Sequence, residues 1–247
     1  PGITELSGRV LARPHEHTQA AAAALVGSDL IRTIPEVREL LVQVPEGVAE
    51  REYASLLLST GQFEYVVPDW VVYPLTIPND TFYGSQWHHQ TIQSEAAWSW
   101  ITDTSSVIAA YTGSGVDLNH PDLAASLVSG YNTVEDLPQS QGGTIQDIHG
   151  HGTCVAGTIG AIGNNGLGVA GVCWNVKLMP IRVSNSPSGG STIADLEEGA
   201  RWAADNGAKT VSASYTGVET PSLDVTGAYV RAQGALYFYA ADNYNQN

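Results

Sequence analysis

Four short apolar runs, residues 107–111, 177–183, 210–215 and 235–241, constrain the fold of this chain more than any other feature. Each is short, built of aliphatic and aromatic residues, and bounded by turn formers, which is the pattern of a buried strand. Between the later runs lie stretches with helical spacing. Residues 193–206 put Ile193, Leu196, Ala200 and Ala203 on one side, and residues 223–233 read as a second helix. Strands alternating with helices require crossover connections, so the pattern predicts an α/β fold with a doubly wound parallel sheet. Ligands of such sheets gather at the carboxyl ends of the strands.

One segment carries most of the chemistry. Residues 147–171 read DIHGHGTCVAGTIGAIGNNGLGVAG. His151 stands between Gly150 and Gly152 at the start of a helix whose small residues, Ala156 and Gly157 among them, let another element lie close against it. A reactive imidazole at the mouth of a cleft fits that arrangement. The following Gly163-Asn164-Asn165-Gly166-Leu167-Gly168 run can turn carbonyl and amide oxygens inward, as a hard cation such as calcium requires. Asp122, after Pro121, reads as a turn-capping carboxylate. His88 and His89 read as surface or interdomain residues, and His149 as a loop residue beside the site. Zinc hydrolysis through His120, His149 and His151 has little support, because residues at i and i+2 do not share a helix face and no HExxH motif occurs.

The first 77 residues form a separate domain with a β-α-β-β-α-β order, provided that a weak strand lies near residues 30–34. This is a small α+β, ferredoxin-like unit. Residues 68–78, PDWVVYPLTIP, are too Pro-rich for a helix or a central strand. They fit either a linker or a tail lying in a cleft of the second domain, residues 78–247. The net charge of −15, with ten Lys and Arg in 247 residues, excludes a nucleic-acid partner, and no apolar run is long enough for a membrane span. Cys154 and Cys173 leave both free thiols and a bridge open. The acidic, Lys-poor composition favours an extracellular, calcium-tolerant protein.

The motifs themselves resemble those of the subtilisin-like serine proteases, the subtilases. GHGTCVAGTIGA from Gly150 is similar to the family's histidine motif, and SGVDLNHPDL from Ser114 to the segment after its catalytic aspartate. NGAKTVSASYTG from Asn206 resembles the substrate-binding strand, and YAADN from Tyr239 the strand end that presents the oxyanion asparagine. The N-terminal domain, with FEYVVPDWVV, resembles the inhibitory propeptide. The resemblance implies a secreted zymogen of a Ser-His-Asp endopeptidase acting on peptides or proteins, with its own propeptide as intramolecular inhibitor. It makes His151 the general base and Asn243 the oxyanion donor. Ser214, Tyr215 and Thr216 would form one substrate edge, with Gly189 and Gly190 as the opposing edge. Asp122, the Asn165 side chain and the carbonyls of Leu167 and Val169 would form a calcium site.

The same resemblance exposes departures. Gly113 stands where the family carries its catalytic aspartate, and Asp117, four residues on, should point elsewhere. Asp242 replaces the usual glycine before the asparagine, and no Gly-Thr-Ser-x-Ala nucleophile motif occurs. The expectation is a subtilisin-like domain lacking its C-terminal segment and inactive as it stands, or alternatively a catalytically dead peptide-binding module on the same fold.

Overall fold

The computed structural model describes residues 6–72 and 75–241. The chain divides into two compact units, Pro1–Tyr73 and Pro74–Asn247.

The first unit runs β1 (Leu6–Pro14), α1 (Gln19–Val26), β2 (Leu30–Ile34), β3 (Glu39–Gln43), α2 (Glu50–Ser59) and β4 (Phe63–Trp70). Its strands lie in the order β2-β3-β1-β4, with every neighbouring pair antiparallel. Alternate residues of the sheet, Val10, Ala12, Val42 and Val66, share one core with Ala22 and Val26 of α1 and Tyr53 and Leu57 of α2. Both helices therefore cover the same face. The weak strand near residue 30 is present as β2, with its middle residues exposed. β4 continues through Pro68 to Trp70, three residues beyond the expected strand at 63–67. Proline is tolerated there because β4 is an edge strand, where an absent N–H need not break a ladder.

The second unit opens with two short helices, α3 (Trp87–Thr91) and α4 (Ser94–Trp98), and then β5 (Ile108–Gly113). A two-residue pair follows, β6 (Tyr131–Asn132) and β7 (Leu137–Pro138). The remaining elements are α5 (His151–Gly160), β8 (Lys177–Arg182), α6 (Ile193–Asp205), β9 (Thr210–Ala213), α7 (Pro221–Ala232) and β10 (Leu236–Tyr239). The sheet order is β10-β9-β5-β8-β6-β7, parallel except for the antiparallel β6·β7 pair. From β5 the chain crosses to β6 and β7 at the far edge, comes back to place β8 between β5 and β6, and then adds β9 and β10 on the other side of β5. β5 is thus the switch point, the place where such sheets open a crevice.

Each face has its own core. Tyr111 and Leu178 pack with Ala156 of α5, whereas Ala110, Ile181 and Val211 pack with Leu196, Ala200 and Val230 of α6 and α7. Of the two small residues expected to let another element lie close against α5, Ala156 is fully buried, but a Cβ on Gly157 would sit at an ordinary 3.9 Å from Val169 Cγ2; the tight glycine is Gly160, where a Cβ would come within 2.5 Å of Val176 Cγ1. Thr192 and Thr220 cap α6 and α7 by accepting from the backbone N–H of Asp195 and Leu223.

Two expectations need correction. β10 is not a buried strand: Leu236 and Phe238 are half exposed, because β10 lies at the sheet edge. His89 is no surface residue. It is fully buried, 2.9 Å from both Ser94 Oγ and the Ala170 carbonyl, and burial lowers its pKa. Among the described residues, no helix is long and apolar enough to cross a membrane.

Ile181 is fully buried where β8 meets α6. Ile181→Ala is expected to cost about 2–5 kcal/mol, read as a lowered urea midpoint at unchanged m-value.

Candidate functional site

The site forms where the ends of β5, β8 and β9 meet the start of α5. After Gly113 the chain turns through Ser114 and through Gly115, whose φ of +111° is open to glycine. It then runs alongside residues 145–147, with Val116 N–H donating to the Ile145 carbonyl and Asp147 N–H to that of Val116. Arg182, buried at the end of β8, donates to the carbonyls of Gln146 and Ser184 at 3.0 Å. The loop ahead of α5 is therefore fixed from both strands.

Here β5 and α5 approach backbone to backbone. A Cβ on Gly152 would lie 2.0 Å from the Gly115 carbonyl oxygen, so only glycine fits. A Cβ on Gly113 would lie 3.1 Å from Gly152 Cα and 3.5 Å from the Tyr111 ring. Gly113 thus adjoins the residue following His151. Asp117 instead accepts from Asn119 N–H in its own turn, and its backbone N–H donates to Thr153 Oγ1.

Asp147, which the sequence reading passed over, is the most heavily bonded carboxylate at the site. Oδ1 accepts from Ser114 Oγ at 2.8 Å, Gly150 N–H at 2.9 Å and His149 N–H at 3.0 Å, and Oδ2 accepts from the backbone N–H and hydroxyl of Thr153. Desolvation pushes this carboxyl's pKa up, but the hydrogen bonds together outweigh it and hold the group below the ordinary carboxylate range. An acid just ahead of a helix start is a capping signal, which could have singled it out.

His151 heads α5, partly exposed, with the rings of His149 and Tyr215 edge-on at 6.4 and 6.0 Å. Tyr215 donates through its hydroxyl to the Gly189 carbonyl at 3.1 Å, and burial pushes its pKa up to about 12. A Cβ on Gly189 would come within 3.1 Å of the His149 ring. The structure therefore brings together His151, Gly113, Tyr215 and Gly189. β9 ends at Ala213, so Ser214, Tyr215 and Thr216 follow the strand and do not extend it as the reading of 210–215 had it. Gly190 lies in the same loop, its carbonyl accepting from Ser184 Oγ. Asn243 and Asp242 lie outside the described residues.

The four residues expected to bind calcium also meet, but as hydrogen-bond partners. Asp122 accepts from Asn165 Nδ2 at 2.7 Å and from Val169 N–H at 3.1 Å, while Asn165 Oδ1 accepts from Leu167 N–H. Among the described residues, no three His, Cys, Asp or Glu side chains form a metal cluster. Asp80 is different. It is buried, its Oδ2 accepts from Asn164 N–H at 2.6 Å, and its Oδ1 has no partner. An unpaired buried carboxylate oxygen held against this loop fits a hard cation. The sequence reading missed Asp80, and a lone acid in a turn carries no periodic signal. Cys154 is an exposed free thiol and Cys173 a partly buried one.

His151 thus heads α5 at the carboxyl ends of the parallel strands, where sheets of this kind gather their ligands, with the Tyr215 ring beside it and Tyr215 bonded to Gly189. By comparison with known proteins, the Subtilase family matches residues 105–247, and the chain belongs to that family. It is 36% identical over 168 residues to thermitase of Thermoactinomyces vulgaris, covering 67% of this chain and 58% of the relative. It is 31% identical over 182 residues to a thermophilic serine proteinase of Bacillus sp. (strain AK1), covering 73% and 44%. The chain thus spans about half the length of these relatives. Among solved structures, a protease of Pseudoalteromonas arctica aligns with TM-score 0.58 at 27% identity, over 70% of this chain and 61% of that one. Fervidolysin of Fervidobacterium pennivorans aligns with TM-score 0.56 at 21% identity, over 98% and 41%, a likeness of fold alone.

Gly152→Ala is expected to displace the head of α5 and lower the melting temperature by several degrees, since the Gly115 backbone cannot move away freely. Acid should weaken the same junction. Because the folded Asp147 carboxyl titrates below its unfolded value, its stabilisation is complete above about pH 4 and is lost as pH falls further. Denaturant melts from pH 6 downward should show stability declining below about pH 4, with a flatter decline in Asp147→Asn.

Proposed function

We propose that the chain is the base-bearing part of a subtilisin-type serine endopeptidase zymogen that hydrolyses peptide bonds. The observation that carries this reading is that His151 heads α5 with its neighbour Gly152 against Gly113 and its ring 6.0 Å from that of Tyr215, at the carboxyl ends of the parallel strands. In it, His151 takes the proton of a serine supplied by the remainder of the catalytic domain and returns it to the leaving amine. A substrate backbone lies along Ser214, Tyr215 and Thr216, facing Gly189 and Gly190, and the side chain of Asn243 donates to the oxyanion. The first unit acts as the inhibitory propeptide, with residues up to about 77 as its tail. The protein acts outside the cell, as a relative named for it does: the extracellular basic protease of Dichelobacter nodosus is 27% identical over 250 residues, covering 83% of this chain and 41% of that protein.

Gly113 leaves His151 without an acid partner, so this form has little or no activity. The cost is about 3 × 10⁴ in kcat for loss of the acid in subtilisin, a member of the same family. The tight 3.1 Å contact at Gly113 also supports the second reading, a peptide-binding module on the same fold. Calcium would be held by Asp80 and Asp122 with the Asn165 side chain and the carbonyls of Leu167 and Val169. Bound there, it supplies a rigid tie for the loop after α5. The partnerless oxygen of Asp80 supports this.

The test joins this chain to the remaining catalytic segment of a relative and follows hydrolysis of a chromogenic peptide. Gly113→Asp is expected to raise kcat by three to four orders of magnitude, and His151→Ala to abolish the gain. A background rate in Gly113→Asp, with the peptide still bound, would favour the binding module. Millimolar calcium is expected to raise the melting temperature of the native chain, and Asp80→Asn to remove that increment.

A further inference from the structure

We propose that Asp147 is the positioning residue of this site, fixing the orientation of the His151 imidazole by pinning both of its chain neighbours to the end of β5. The inference rests on the reading of His151 as the base and adds a residue to it. Gly150 N–H is bound directly by Asp147 Oδ1 at 2.9 Å. Gly152 N–H donates to Ser114 Oγ at 2.9 Å, and that hydroxyl donates onward to Asp147 Oδ1 at 2.8 Å. One residue further, Thr153 adds its backbone N–H and its hydroxyl to Oδ2. The backbone on either side of His151 therefore hangs on one carboxylate, and Gly113 brings no side chain that could orient the ring directly.

The chemistry requires the ionised form. All five groups that meet Asp147 are donors, and a carboxylate accepts all of them, whereas an amide would turn N–H groups toward some of them. The charge is also felt beyond its own bonds. After burial, it is the contributor that raises the phenol pKa values of Tyr111, whose ring edge faces Gly113, and Tyr215, whose ring meets that of His151. Its field thus reaches side chains that border Gly113 and His151.

The test is nuclear magnetic resonance of the His151 side chain in the native chain, which needs no activity. The wild type is expected to show one χ1 rotamer by its vicinal couplings and one set of imidazole signals. Asp147→Asn should lose both, giving averaged couplings and broadened or shifted ring signals. Thr153→Ser keeps both Thr153 bonds and should preserve the wild-type pattern. Ile181→Ala, destabilising but remote from these bonds, should lower the melting temperature and leave the His151 signals alone. Should Asp147→Asn fail to fold, Ser114→Ala cuts only the relay to Gly152 and is expected to broaden the ring signals partially. If Asp147→Asn, or Ser114→Ala in its place, lowers stability while His151 keeps its wild-type couplings and ring signals, Asp147 is merely structural and the proposal is overturned. Failure of the base assignment would appear separately, as hydrolysis surviving His151→Ala in the completed enzyme.

Discussion

The meeting of two stretches of bare backbone, residues 113–115 against 150–152, is the constraint on which the rest of this molecule depends. With Gly115 and Gly152 in contact, the end of the switch-point strand touches the head of a helix with no side chain between them. That closeness lets one serine hydroxyl and one carboxylate span the junction. Any side chain at Gly152 would push the two layers apart at this junction.

An anion at a helix head is favourable in its own right, because the first backbone N–H groups have no partners within the helix. Here the same group serves the helix, the strand end and the loop between them, so stability and site geometry are not independent. The buried Arg182 complements it from the other side, donating to carbonyls of the loop that leads into Asp147. The loop after α5 is tied by a second set of contacts, with Asp80 and Asp122 bonded to consecutive residues, Asn164 and Asn165.

Much of this was legible in the residues. The apolar runs marked β5, β8 and β9, and the Gly and Ala content of α5 announced its tight packing, because both signals arise from what a buried face excludes. Elements of two to five residues, such as β6, β7, α3 and α4, are too short to carry a period. An apolar run also does not say whether anything covers it, so the exposed β10 read as buried. The burial of His89 depends on Ala170, 81 residues away, a contact that no local pattern encodes. The role of Asp147 was hidden for a related reason: half of its meaning lies in Ser114, on a different element.

The hydrogen bond from Tyr215 to Gly189 has a consequence for anything that enters the groove. It joins the segment after β9 to the loop of Gly189, the two stretches proposed as substrate edges. An extended peptide that lies between those edges must exchange its own polar groups for that bond. Only the difference, of the order of 1 kcal/mol per exchanged hydrogen bond, then appears as affinity. Under the proposed reading, that bond favours ligands that offer a donor to the Gly189 carbonyl and an acceptor to the phenol at once, over apolar segments that can break the bond but not replace it.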